Sequence, residues 1–273
     1  MKSVFKSENS RLILQDHYLK IINESGLNLK SEFVTTTFGK THVLRAGQDD
    51  KPPLVLLHGS CSNAAMWLGD MRNLETRYSI YAIDMPGEPG LSTDSRLNFK
   101  EKAFVAWLDQ VIGKLNLQDI TLVGNSLGGC VSLHYTLVHQ SKIKNLILIA
   151  ASGIVAPKLS FICSSILSAL QGEKGMLRLN RKIFGKKDLP KEIIETTTLI
   201  MKHFNPMTDP LPIVSEEEIK TLSLPIHFIA GQKDITLNLK AVINKLSLNP
   251  NNHIEILEGQ PHVLYNILDK ILE

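Results

Sequence analysis

The sequence has little of several features that define whole classes of proteins. Its 273 residues include three cysteines, Cys61, Cys130 and Cys163, which are too few for the disulfide framework of a small secreted domain. Aromatic residues make up 6% of the chain, and the net charge of +3 comes from interspersed acidic and basic residues, so we expect no nucleic-acid-binding face. No run of about 18 apolar residues could span a membrane.

Motifs for cofactors and metals are also missing. Neither the glycine-rich turn of dinucleotide-binding folds nor a phosphate-binding P-loop occurs, so no cofactor is predicted. The nine histidines form no H-E-x-x-H pattern. His134 and His139 are five residues apart, on different faces of one predicted helix, so we predict no metal site. The first residues contain no apolar segment of the kind found in signal peptides, which predicts a cytoplasmic protein.

The most informative motif is Gly-x-Ser-x-Gly at residues 124–128. An apolar, β-branched run precedes it and a helix-compatible run follows it. This context is typical of a nucleophile elbow, a turn too sharp for side chains on either flank of the serine. Ser126 would stand at a helix N-terminus, where the backbone N–H of Leu127 can stabilise an oxyanion. The alternative role for Ser126 is that of a helix N-cap.

A serine nucleophile needs a base, and the base needs an orienting acid. An apolar strand at 224–230 leads to Asp234, and a second strand at 253–257 leads through a Gly/Pro loop to His262, ahead of an apolar helix. Strand ends of an open α/β sheet converge on one crevice, so we predict Asp234 as the acid and His262 as the base. Glu258 and Asp209 are weaker candidates for the acid.

A further strand, at 53–57, ends in His58-Gly59-Ser60. With residues 84–87, the elbow, residues 231–234 and Pro261-His262, this motif makes the chain resemble the α/β-hydrolase superfamily. The resemblance runs from about residue 33 to the end of the sequence and implies that the backbone N–H of Ser60 is the second oxyanion donor. One departure is the turn at 87–92, which carries one residue more than the family's usual Asp-x-x-Gly-x-Gly-x-Ser.

The predicted fold is one α/β-hydrolase domain over 1–273, with a mostly parallel central sheet flanked by helices. Residues 9–24 have the apolar spacing of an amphipathic helix, so 1–30 reads as an N-terminal helical extension. Phe33–Thr37 and Thr41–Arg45 predict a β-hairpin. About 75 residues separate two consecutive core strands, more than one crossover needs, which predicts a helical cap insertion at approximately 154–214. The six core strands are predicted at 54–57, 79–83, 120–123, 145–150, 226–230 and 253–257.

These features predict a cofactor-free serine hydrolase that acts through a Ser126–Asp234–His262 triad and an acyl-enzyme. The expected substrate is a small, mostly apolar carboxylic ester. Lactones, thioesters, carbon–carbon bonds of diketones and short peptides stay open within the same chemistry. The alternative function is a small-molecule receptor or signalling protein of the same fold with slow turnover, because fold alone does not decide function.

Overall fold

The computed structural model describes residues 3–185 and 189–272. The described residues form one sheet of eight strands, with helices before, between and after them. The strands are β1 (Lys30–Thr36), β2 (Gly39–Ala46), β3 (Pro53–Leu57), β4 (Ser79–Ile83), β5 (Ile120–Asn125), β6 (Ile143–Ile149), β7 (Ile226–Gly231) and β8 (His253–Leu257). The α-helices are α1 (Glu8–Glu24), α2 (Leu68–Leu74), α3 (Ala103–Lys114), α4 (Leu127–Val138), α5 (Leu159–Leu170), α6 (Gly172–Ile183), α7 (Lys191–His203), α8 (Glu216–Thr221), α9 (Leu239–Leu246) and α10 (Leu268–Ile271).

The sheet has the strand order β1-β2-β4-β3-β5-β6-β7-β8. Strands β3 to β8 run parallel, whereas β2 pairs antiparallel with both β1 and β4. The predicted hairpin and all six predicted core strands are confirmed. Parallel strands were recognisable because burial on both faces leaves them almost continuously apolar.

Two apolar cores lie on opposite faces of the sheet, as the alternation of side chains along β3 shows. Val55 and Leu57 belong to one core, while Leu54 and Leu56 belong to the other, and all four are fully buried. Because apolar cores cover both faces of the sheet, polar side chains can meet solvent and ligands in the crevice at the carboxyl ends of the parallel strands.

The predicted amphipathic helix at 9–24 is confirmed as α1, which Ser7 caps by accepting a hydrogen bond from the Ser10 N–H. The start of the chain pairs with the segment after α7, through a β-bridge between Phe5 and Phe204. Five side chains form a small separate core there: Val4, Phe5, Leu14, Ile200 and Phe204. The N-terminal segment therefore packs on the insertion as well as on the sheet.

Three helices, α5, α6 and α7, occupy the predicted insertion at 154–214, of which residues 186–188 lie outside the described residues. Residues 1 and 2 of the predicted extension and residue 273 of the predicted domain also lie outside the described residues. The end of α6 touches the loop that carries His262, because the Val263 N–H donates to the Ile183 carbonyl at 3.3 Å. No helix among the described residues is both long and apolar enough to cross a membrane.

The helix expected after His262 is much shorter than a typical core helix. It is α10, a single turn that begins at Leu268. Asn266 adopts a left-handed conformation, φ 50°, which interrupts helical geometry directly before it. The side chain of Asp70 accepts the Leu268 N–H at 3.0 Å and so anchors this turn to α2.

Candidate active site

Ser126 lies between β5 and α4 in a backbone conformation that few side chains adopt, with φ 48° and ψ −107°. Its N–H donates to the Ile149 carbonyl at 2.9 Å, and its own carbonyl accepts the N–H groups of Cys130 and Ser152. The surrounding structure therefore holds a strained residue in place, as is common where a side chain must be presented to a ligand.

The glycines on either side of Ser126 are required by space. A Cβ on Gly124 would lie 2.4 Å from the Gly128 carbonyl oxygen, and a Cβ on Gly128 would lie 2.3 Å from the Leu57 carbonyl oxygen. Both distances are far below normal contact. The turn has the tight packing expected of a nucleophile elbow, and it leaves the Leu127 N–H in the first turn of α4, where helices have no internal acceptor for it.

The loop after β3 borders the serine. A Cβ on Gly59 would lie 3.5 Å from the Ser126 Cβ, which places the backbone of this loop directly beside the turn. His58 shapes the loop, because its Nδ1 bonds the Gly59 carbonyl at 2.8 Å and its Nε2 accepts the Met85 N–H at 2.9 Å. Burial lowers the pKa of His58, which suits the neutral ring that these two bonds require. Ser60 follows on the exposed rim of the loop.

Asp234 and His262 form a direct hydrogen bond. The Asp234 Oδ2 lies 2.6 Å from the His262 Nδ1, and the carboxylate is 2% exposed. Burial alone would raise the pKa of Asp234, but the hydrogen bond and charge of His262, with the hydrogen bonds from Thr236, hold it below its ordinary value. The Thr236 hydroxyl donates to the other carboxylate oxygen at 2.8 Å, so both oxygens have partners.

The ring of His262 makes its described hydrogen bonds at Nδ1, to Asp234 and Thr236. The structure thus brings the acid and the histidine together. The turn at Ser126, the loop at 58–61 (called the oxyanion loop after the donor predicted at Ser60) and the Asp234–His262 pair follow the carboxyl ends of β5, β3, β7 and β8.

Comparison with known proteins agrees with this geometry. The family model described as "alpha/beta hydrolase fold" matches residues 52–170, which include the oxyanion loop and the elbow. The chain has the α/β-hydrolase fold. It is 24% identical over 246 residues to the carboxylesterase YbfK of Bacillus subtilis, a match that covers 85% of this chain and 81% of that protein.

Solved structures share the fold of this α/β-hydrolase. The crystal structure of the Bacillus subtilis carboxylesterase CesB (YbfK) matches with a TM-score of 0.84 and 22% identity, covering 97% of this chain and 95% of that one. The Bacillus subtilis naproxen esterase matches with a TM-score of 0.82 and 22% identity, covering 94% of each chain. The similarity thus extends over the insertion and the N-terminal segment as well as the sheet.

The two other acids considered from the sequence lie elsewhere in this α/β-hydrolase. Asp209 and Glu258 are both exposed to solvent, whereas Asp234 is buried against His262. The insertion also supports the loop that carries Asp234. Lys158 precedes α5, and its Nζ donates to the Asp234 carbonyl at 2.7 Å while its N–H donates to the Thr236 carbonyl at 3.0 Å.

A buried group of hydrogen bonds around Asp84, here called the Asp84 hub, was not predicted from the sequence. Asp84 is fully buried and accepts hydrogen bonds from the Tyr18 hydroxyl at 3.1 Å, the Ala64 N–H at 2.7 Å and the Leu91 N–H at 2.9 Å. His42 Nδ1 lies 2.8 Å from the same carboxylate. Burial would raise the pKa of Asp84, but the hydrogen bond and charge of His42 lower it below the ordinary value.

The turn at 87–92, which carries the extra residue, has a glutamate that points inward. Glu88 is 3% exposed, and its Oε2 accepts the Cys61 N–H at 2.6 Å, directly after Ser60. Burial raises the pKa of Glu88 to about 8, against the hydrogen bond from Cys61 and the charge of Arg96. The departure from the family pattern therefore adds a second support to the oxyanion loop.

A narrow, mostly apolar cavity begins at Leu127, the residue after the serine. Met207 closes it from the insertion, while the remaining walls come from α3, α4 and the loops after β4. Its lining consists of Met85, Pro86, Glu88, Arg96, Leu97, Phe99, Phe104, Trp107, Leu127, Val131 and Met207.

Proposed function

We propose that this chain is a serine carboxylesterase that hydrolyses small, mostly apolar esters. The observation that carries the proposal is the buried Asp234–His262 hydrogen bond of 2.6 Å, which lies at the same end of the sheet as the strained turn at Ser126. The carboxylesterases among its relatives support the same reaction class.

In the proposed mechanism the Ser126 Oγ attacks the ester carbonyl, and the Nε2 of His262 accepts the serine proton. Asp234 keeps the imidazole in the tautomer that can accept at Nε2 and stabilises the imidazolium that forms. The tetrahedral intermediate collapses as His262 returns the proton to the leaving alkoxide, which releases the alcohol and leaves an acyl-serine. Water then repeats the sequence with His262 as base and releases the carboxylic acid.

The negative charge on the tetrahedral intermediate would be held by the backbone N–H groups of Leu127 and Ser60. Loss of one donor of this kind typically costs about 2.7–4 kcal/mol of transition-state stabilisation. The hydrogen bonds of His58 and Glu88 fix the loop on either side of Ser60. Their role in this proposal is to keep the donor in place without contacting the substrate.

Turnover on a panel of p-nitrophenyl esters with short, medium and long acyl chains tests the proposal. We expect sustained, multiple turnover that favours short or medium chains and disappears in Ser126→Ala. A single burst followed by retention of the acyl group would contradict an esterase and would favour the receptor function. Faster turnover of lactones, thioesters or diketones would show that the substrate belongs to that class and is not a simple ester.

A further inference from the structure

A cluster of side chains that could bind a metal ion lies toward the opposite end of the sheet from Ser126. His227 is on β7, and His253 and Glu255 are on β8, the last strand of the sheet. His227 and His253 are paired in register across the two parallel strands. Residues two apart on a strand share a face, so all three side chains project from the same side.

The three side chains are close enough to bind one ion. A ring nitrogen of each histidine and a carboxylate oxygen of Glu255 all lie within 4.8 Å of one another, and the His227 Nε2 is 3.5 Å from the Glu255 Oε2. Neighbouring ligands of tetrahedral zinc, with bonds of about 2.0–2.1 Å, are about 3.3 Å apart. Small rotations of the exposed His253 and half-buried Glu255 side chains would bring the three ligand atoms to this spacing.

We propose that His227, His253 and Glu255 form a binding site for a divalent transition-metal ion, specifically Zn²⁺. Two imidazoles and one carboxylate are a ligand set that zinc uses in proteins, with water in the fourth position. The His253 side chain is exposed, which leaves that fourth position open to solvent. The site has no local sequence pattern, because the paired histidines lie 26 positions apart in the chain.

A simple ion pair explains the cluster less well. The His227 Nε2 is buried and has no hydrogen-bond partner among the described residues, although a carboxylate lies nearby. The two rings meet edge to face with centroids 4.6 Å apart, an arrangement that two imidazolium charges would oppose.

The position of the cluster indicates a structural role. Asp234 follows β7 and His262 follows β8, so a bound ion would join the two strands that lead to the acid and the histidine. His227 lies four residues before the end of β7, a rise of about 13 Å, so the ion would sit away from the reacting atoms. The bound ion should therefore raise stability and leave the chemistry at Ser126 unchanged.

Zinc titration of the untagged full chain, after dialysis against a chelator, tests the site with a competing chromogenic indicator. We expect one Zn²⁺ per chain, and a loss of affinity of at least about tenfold in both His253→Gln and Glu255→Gln. The thermal midpoint of the parent chain should rise with zinc, since an ion that binds the folded state stabilises it, and the variants should show a smaller rise.

Matched controls separate this site from other zinc ligands on the surface. Cys163→Ser removes an exposed thiol. His17→Gln removes a histidine of α1 whose Nδ1 lies 3.9 Å from a carboxylate oxygen of Glu195 on α7. Both controls and Ser126→Ala should bind zinc like the parent chain. Absence of saturable binding, or equal affinity in the parent chain and His253→Gln, would overturn the proposal, whatever the esterase assay shows.

Discussion

At the scale of single residues, the candidate site depends on groups held in unfavourable states by their neighbours. Ser126 keeps a left-handed backbone, and Asp234 keeps a buried carboxylate. Each is compensated by specific hydrogen bonds: the Ser126 N–H donates to the Ile149 carbonyl, and Thr236 and His262 bond the Asp234 carboxylate. Such compensation fixes the geometry before substrate arrives, which is what electrostatic catalysis requires.

Asp234→Asn should lower kcat by about 10⁴-fold while the fold is retained. The amide can still bond the imidazole, but it favours the wrong tautomer of His262. Steady-state kinetics with far-UV circular dichroism checks this expectation. Asp209→Asn and Glu258→Gln, which change exposed carboxylates, should keep near-normal kcat. A normal kcat in Asp234→Asn would show that another residue orients the base.

Glu88→Gln should make stability less dependent on pH. The pKa of Glu88 is about 8 in the folded chain against 4.5 ordinarily, so the folded state retains a proton that the unfolded state loses between these values. The free energy of unfolding should therefore fall as pH rises through this range, by the order of a few kcal/mol. Glutamine keeps an oxygen for the Cys61 N–H and has no proton to lose.

Urea unfolding of the parent chain and of Glu88→Gln between pH 5 and pH 8.5 measures this effect. The difference in free energy should be small at pH 5 and should grow in favour of the variant toward pH 8.5. Glu258→Gln, at an exposed position, serves as the control and should follow the parent chain. A constant difference between the two curves would mean that Glu88 is ionised throughout.

At the scale of elements, Asp84 joins parts of the chain that are far apart in sequence. Its carboxylate bonds Tyr18 of α1, His42 of β2 and the N–H of Ala64, the first residue of a short 3₁₀ helix at Ala64–Trp67. The N-terminal segment also packs on the end of α7. The N-terminal extension at 1–30 therefore connects the cap insertion, through α7, to the residues that follow the oxyanion loop, through Asp84.

Tyr18→Phe should destabilise the chain by about 1.5–3 kcal/mol, because it removes a buried hydrogen bond to a charged group. Urea unfolding at pH 7 provides the measurement. Tyr78→Phe is the matched control, since Tyr78 packs partly buried against the same apolar core, and its effect should stay within about 0.5 kcal/mol. Equal effects of the two substitutions would show that α1 is not held through Asp84.

Met207→Ala should shift ester preference toward longer or bulkier acyl groups. Met207 is the part of the insertion that lines the cavity beside Leu127, and each methylene of pocket space is worth about 1–3 kcal/mol of discrimination. Values of kcat/KM across an acyl-length series measure the shift. Ile166→Ala, in the same insertion but 59% exposed, should leave the profile unchanged. A shift in Ile166→Ala alone would place the acyl chain under α5 instead.

At the scale of the whole molecule, the sheet and the pairing of Asp234 with His262 were predictable from sequence. Buried parallel strands are apolar runs, and their carboxyl ends converge on one edge whatever the details of packing. The Asp84 hub was not predictable, because its partners have no local pattern and meet only when α1, β2 and β4 are assembled. The inward turn of Glu88 and the one-turn length of α10 likewise depend on tertiary contacts.

The central claim is that Ser126 is the nucleophile of this α/β-hydrolase, and covalent labelling tests it most directly. The chain is treated with a fluorophosphonate, which phosphonylates activated serines, and the adduct is located by peptide mass mapping. We predict a single adduct on Ser126, no labelling of Ser126→Ala, and strongly slowed labelling of Asp234→Asn. An adduct on any other residue, or undiminished labelling of Ser126→Ala, would contradict the assignment of Ser126 and the mechanism built on it.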